Sequence, residues 1–249
     1  SSTPSVPSPA NTGHNQALEA SKSNLKSTPE IMSSSTTSVP YPANTIPSVR
    51  RVNVVPAMAP PHKFIEGSSG ENYVWDSSNI ARRDLLFIRE SKNGTITINA
   101  PITKILIESC SDLVINLPDK IMTNMVEIWK SKNVTINLSH PVLTAQVDMC
   151  EDVTINYAST KDYQQIVWSN THRLGVNFKD GSEHNTITGL SEMKTLYDDV
   201  DDTTDQFFLR FVKGVLTPEI LIRLPGGFPT TSREADEWEA EHPHDVKVF

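Results

Sequence analysis

The sequence predicts an all-β chain: a parallel β-helix of about 20-residue coils, followed by a C-terminal β-hairpin. Three observations point there. Five strand-like runs end in asparagine at a nearly constant step: Thr95-Ile96-Thr97-Ile98-Asn99, Leu113-Val114-Ile115-Asn116, Val134-Thr135-Ile136-Asn137, Val153-Thr154-Ile155-Asn156 and Leu174-Gly175-Val176-Asn177. The asparagines are 17, 21, 19 and 21 residues apart, a period that means stacked units rather than one globular core. A second run precedes each of the last four, with Ile107, Ile128, Val147 and Trp168 nine residues before the asparagine. Ile105, Val126, Ala145 and Ile166 stand eleven before it. The third observation is length. A unit of this size holds two short strands and their corners but no helical crossover, so each strand must pair with its own copy in the next coil, about 4.8 Å away.

Residues 1–61 are rich in Ser, Thr, Pro, Ala and Asn, as in Ser38-Val39-Pro40-Tyr41-Pro42. Such a stretch cannot bury enough apolar surface to offset its chain entropy and is expected to be a disordered linker. The chain opens on Ser1 rather than Met and is expected to be a piece of a longer protein. The β-helix is expected over 62–190. Its first unit fits the repeat only with a slip of a residue or two near Phe87 and Ile88. All five asparagines should point outward, because their apolar neighbours point in. Alternation in the second strand sends Leu106, Glu127, Gln146 and Val167 outward, and beside them Glu108, Trp129, Asp148 and Ser169.

Cys110 and Cys150 fall at the same corner, six residues before Asn116 and Asn156, with Ser131 between them in the stack. Two layers separate them by about 9.6 Å, beyond the roughly 7 Å that a disulfide spans between Cα atoms. Reduced cysteines place the chain in a cytoplasmic setting.

After Gly189 the repeat stops. Residues 191–204, with Asp198-Asp199-Val200-Asp201-Asp202, read as a solvated acidic connector. Residues 205–224 read as a hairpin turning at Lys213-Gly214. Phe207, Leu209 and Phe211 lie on one face of its first strand, and Phe208 and Val212 on the other. Ile220 and Ile222 are on the return. Two apolar faces on a marginal hairpin, next to the open edge of a solenoid, predict exchange between two chains into a closed homodimer. Pro218 requires an outer strand or a bulge. In the tail, 225–249, Thr231-Ser232-Arg233-Glu234 has the form of a capping box opening a short helix that His242-Pro243 ends.

A net charge of −8 and a pI near 5.4 argue against nucleic-acid binding. No apolar run approaches the roughly 18 residues of a membrane span. Phosphate-binding glycine loops and metal-type cysteine spacings are absent from the sequence, so no cofactor is expected. Glu108, Glu127 and Asp148 form the one acidic cluster that could serve acid–base chemistry, as in β-helical polysaccharide lyases. No basic or metal-binding set completes it, and an enzyme is not expected.

Read in order, these units resemble the C-terminal domain of cyclase-associated proteins, the actin-monomer-recycling family. The likeness rests on Ile105-Leu106-Ile107-Glu108-Ser109-Cys110 and on Val126-Glu127-Ile128-Trp129-Lys130-Ser131-Lys132-Asn133-Val134-Thr135-Ile136. Downstream, Asp205-Gln206-Phe207 with Lys213-Gly214 and Leu216 is similar to the family's exchanged hairpin. The resemblance covers about 62–227. It implies binding of ADP-bound monomeric actin, with Glu108, Glu127, Trp129, Lys130, Lys132 and Asp148 as the binding face. It also implies a homodimer through Phe207, Leu209, Phe211, Ile220 and Ile222, and a cytoskeletal location. SH3-type domains and adenylate cyclase are the partners expected of the Pro-rich linker. Of the family's upstream actin-binding motif, only Asn24-Leu25-Lys26-Ser27-Thr28 is approached, after a weak helix at 16–23. The tubulin-cofactor C domain shares the fold and is the alternative, a GTPase-directed or scaffold role. Its Gln-x-Arg finger is missing here, and Arg89 or Arg173 would have to replace it.

Overall fold

The structure, a computed structural model, describes residues 61–242. All of them fall within the unit Pro56–Phe249. The linker up to residue 60, the run at 24–28 and the helix expected at 16–23 lie outside the described residues.

Each coil carries two strands, and like strands stack into two sheets. The first sheet is built from β1 (His62–Glu66), β3 (Leu85–Arg89), β5 (Lys104–Glu108), β7 (Met125–Trp129), β9 (Thr144–Asp148) and β11 (Gln165–Ser169), all parallel. The second comprises β2 (Asn72–Asp76), β4 (Lys92–Asn99), β6 (Ser111–Leu117), β8 (Lys132–Leu138), β10 (Glu151–Tyr157) and β12 (His172–Phe178), also parallel. The chain is thus a parallel β-solenoid, as the repeat required. Ile88, Ile107, Ile128, Val147 and Trp168 pair in register, and all five are fully buried. Ile96, Ile115, Ile136, Ile155 and Val176 do the same in the facing sheet. A slip of one residue would turn either row to solvent, so burial itself enforces the register.

The asparagine ladder begins one coil late. Asn116 pairs with Thr97, not Asn99, and its amide donates to the Thr97 hydroxyl at 3.1 Å. Asn137 donates to Asn116 at 2.8 Å, Asn156 to Asn137 at 2.9 Å and Asn177 to Asn156 at 2.9 Å. The 17-residue first step is therefore a two-residue offset in β4, while β3 keeps strict register with β5. Asn99 sits past the ladder, exposed.

Corners are made by left-handed residues. Lys130 (φ 48°) and Asn133 (φ 51°) bracket Ser131-Lys132 where β7 turns into the start of β8, and Ser109/Asp112, Met149/Asp152 and Asn170/Arg173 repeat the pattern. Asn and Asp tolerate this conformation better than other non-glycine residues, which explains their recurrence at the second position. Small polar residues line the inside of the bend. The Cys110 amide donates to Ser131 Oγ at 3.1 Å and the Cys150 amide to Thr171 Oγ1 at 3.3 Å. Both cysteines are buried and unpaired, as their two-layer spacing demanded. At Gly94 a side chain would not fit, since a Cβ there would lie 2.2 Å from the Glu71 carbonyl oxygen.

The end of the solenoid is closed within the chain. β13 (Thr186–Thr188) pairs antiparallel with β12, and α1 (Leu190–Leu196) buries Leu190 and Met193. The acidic connector expected from residue 191 thus begins as a packed helix, because Leu190 and Met193 fall three apart on one face. On the first sheet, β14 (Gln206–Val212) pairs antiparallel with β11 of its own chain, and β15 (Val215–Ile220) pairs with β14. Phe207 stacks on Trp168 at 4.4 Å between centroids. Lys213 (φ 51°) and Gly214 (φ 83°) form the tight turn that hairpins prefer. Pro218 lies in β15, the outermost strand, where a missing N–H is harmless.

The expectation that one chain could not cover both faces of this hairpin is corrected. Phe208, on the outer face, is buried beneath Arg210, whose guanidinium lies 4.1 Å from the ring centroid. The cover continues through β16 (Ile222–Arg223), β17 (Pro229–Thr230) and α2 (Ser232–Glu241). Thr231 caps α2 by accepting from the Glu234 amide at 3.3 Å. Glu234 does not complete the reciprocal half of the box; it accepts instead from Thr230 Oγ1 at 3.1 Å and forms an ion pair with Arg210 at 3.0 Å. Arg233 donates twice to buried Glu219, at 2.8 and 2.9 Å, fastening the helix to β15.

Candidate functional site

Register places the expected face together on the outer side of the first sheet. Arg89, Glu108, Trp129, Asp148 and Ser169 form one row across five coils, and Leu106, Glu127, Gln146 and Val167 form the next. Their environments differ from the open acidic surface that alternation alone suggested. Glu127 is 7% exposed, with its carboxylate 2.6 Å from Lys104 Nζ. Asp148 is 9% exposed and accepts from Gln146 Nε2 at 2.7 Å and Ser169 Oγ at 2.8 Å. Glu108 lies 3.7 Å from both Arg89 and Lys130. Arg89 reaches back to Glu66 at 3.7 Å. Trp129 is half-buried between Glu108 and Asp148, not a free-standing aromatic. Each carboxylate has a neighbour that holds it, so this row is a braced surface rather than a set of free acids and bases. No group of His, Cys, Asp and Glu among the described residues could hold a metal ion.

Lys130 and Lys132 project from the corner, both exposed. Around it lies an ion cluster that period counting did not single out. Lys132 pairs with Glu151 at 2.9 Å, Arg173 pairs with Glu151 at 3.0 Å and with Asp152, and Asn133 donates to Asp112 at 2.7 Å. The hydrogen bond from Lys132 holds the Glu151 carboxyl below its ordinary range, and that from Arg173 does the same for Asp152. The available signal was the fourth residue before each ladder asparagine: Asp112, Asn133, Asp152 and Arg173. There Asn133 bonds to Asp112 and Arg173 pairs with Asp152 across adjacent coils. Arg173 pairs with Glu151 and Asp152, whereas Arg89 lies 3.7 Å from both Glu66 and Glu108.

The site is thus a row of braced charges around a half-buried tryptophan on the outer face of a parallel β-solenoid. Residues 64–199 match the family model for the adenylate cyclase associated (CAP) C terminal domain, and the chain belongs to that family. The family is one of actin-binding domains. None of the curated proteins matches the chain in sequence. Among solved structures, the crystal structure of cyclase-associated protein from Cryptosporidium parvum is similar at 15% identity and a TM-score of 0.44. That likeness covers 51% of this chain and 77% of the other. No helix among the described residues is long and apolar enough to cross a membrane.

Proposed function

We propose that this domain binds monomeric actin in its ADP-bound state and promotes exchange of the nucleotide, acting in the cytoplasm on the cytoskeleton. The observation that carries the reading, beside family membership, is the braced row holding Trp129 between Glu108 and Asp148, with Lys130 and Lys132 at its rim. A half-buried tryptophan held by paired charges loses little side-chain freedom on docking, which suits a hot-spot anchor. The two lysines would steer encounter and make association salt-dependent. Glu127 and Asp148, being buried, serve to position this row. No covalent step is needed. Tighter binding to the opened, nucleotide-releasing form of actin shifts that equilibrium by differential affinity alone, tenfold for each roughly 1.4 kcal/mol.

The homodimer through Phe207, Leu209, Phe211, Ile220 and Ile222 belongs to the same reading. A hairpin that caps its own coil makes the same contacts when it caps a partner's, so exchange needs only a change in the segment 197–205. The SH3-type and adenylate cyclase partners of the Pro-rich stretch remain part of the proposal.

Binding of the full chain to ADP-actin and ATP-actin, measured by calorimetry, tests the core claim. We expect the ADP form to be preferred and Trp129→Ala with Lys130→Glu to weaken it about tenfold or more. An unchanged affinity in a variant with native circular dichroism rules this face out, and no preference between nucleotide states rules out the exchange role.

A further inference from the structure

The tail makes a second feature that neither the repeat nor the family domain accounts for. Between the outer face of the first sheet and the segment 221–241 runs a cavity of about 1400 Å³. Its floor is Met125, Thr144, Gln146, Val167 and Phe208, from β7 to β14. Leu224, Phe228, Pro229, Ala235 and Trp238 make the walls. Three of the large apolar wall residues are left to solvent: Phe228 is 68% exposed, Trp238 50% and Leu224 42%. Exposed aromatics around an unfilled groove mark a surface built to be covered.

Three properties select the occupant. The groove exceeds the roughly 300–1000 Å³ of small-molecule sites and spans three strand spacings, about 14 Å. That is the length of four or five residues of extended polyproline helix at about 3.1 Å each. Such a helix has no internal hydrogen bonds, and its carbonyls need donors. The groove supplies them in Arg223 and in Gln206, whose amide oxygen already accepts from Arg223 at 3.1 Å, leaving its nitrogen to donate. Charge sets the flank. Glu239 and Glu241 line the groove, and neither has an ion pair among the described residues. They lie at the C-terminal end of α2, where the helix dipole adds negative potential.

We infer that this groove binds a proline-rich peptide with a basic flank, docked as a polyproline helix against Trp238 and Phe228. The site adjoins the Trp129 row through Gln146, which floors the groove and donates to Asp148, but the argument for it does not rest on the actin reading.

The test uses the full chain and fluorescence anisotropy with a fluorescein-labelled peptide of alternating Leu and Pro ending in two arginines. Two control peptides carry glutamates for the arginines, or serines for the prolines. We expect the basic proline peptide to bind and both controls to bind about tenfold more weakly. Trp238→Ala and Phe228→Ala should each cost about tenfold. Glu239→Lys with Glu241→Lys should transfer the preference to the glutamate peptide. Failure of the basic peptide to bind overturns the inference. So does binding that ignores Trp238→Ala, or equal affinity for both charge forms.

Discussion

Ile136 shows what one position does in a stacked fold. It pairs with Ile115 below and Ile155 above and is fully buried, so truncation leaves a cavity that neighbouring coils cannot collapse to fill. Ile136→Ala should lower unfolding free energy by about 2–5 kcal/mol in a urea titration. An unchanged midpoint at unchanged slope contradicts the packing described. The corner cysteines make a chemical prediction. Burial pushes the Cys150 thiol up to about 11, and Cys110 is raised for the same reason. At pH 7 only about one Cys150 in ten thousand is thiolate, the reactive form. Labelling by a disulfide reagent should be slow on the native chain, complete on unfolding, and faster as pH rises toward 11. The sign carries to stability. Below the unfolded pKa both states hold the proton and nothing is lost, and as pH climbs through the folded value the unfolded thiolate is favoured. Prompt labelling of both thiols at pH 7 would refute their burial.

At the scale of elements, alternation was legible and coverage was not. Ile105, Val126 and Ala145 are buried as period two required, and Leu106, Glu127 and Gln146 lie on the opposite face. Yet Glu127 and Asp148 are nearly as buried as core residues, because Lys104, Gln146 and Ser169 close over them. Lys104 and Ser169 come from neighbouring coils, which no count along one strand reveals, and only Gln146 shares a strand with the carboxylate it holds. The hairpin teaches the same. Its two greasy faces were visible in sequence, but the cover of the second, Arg210 over Phe208 with Glu234 of α2 holding Arg210, carries no repeat signature. The Arg233–Glu219 pair is the fastening. Arg233→Ala would leave buried Glu219 with only Arg210 at 3.9 Å. It should lower stability by about 1–3 kcal/mol and speed amide exchange in α2. Exchange in α2 as slow as in the parent chain would show that the clamp does not hold it.

For the whole molecule, each coil contacts only its neighbours, so both ends must be closed to stop the stack from recruiting another chain. At the C-terminal end β13, α1 and the β14–β15 hairpin do this. A chain ending at Thr204 loses Phe207 from Trp168 and leaves β11 an open edge. It should associate without fixed stoichiometry, whereas the full chain should sediment as a dimer at micromolar concentration. A full chain that sediments as a monomer rules out hairpin exchange and leaves the cis-capped form as the functional one.

The sequence by itself determined the coil period, the two inward rows, the reduced cysteines and the turn at Lys213-Gly214. These follow from alternation and local backbone preference, which act between residues near in the chain or one period apart. It also carried enough of the Glu108–Trp129–Asp148 row to locate a candidate face. Only the tertiary structure decided that the ladder starts at Thr97, that Glu127 and Asp148 are covered, and that the hairpin's outer face is sheltered at home. It alone created the Trp238 groove. Those outcomes depend on contacts between segments with no common period, such as Arg210 with Glu234 and Arg233 with Glu219, and burial of that kind has no signature along the chain.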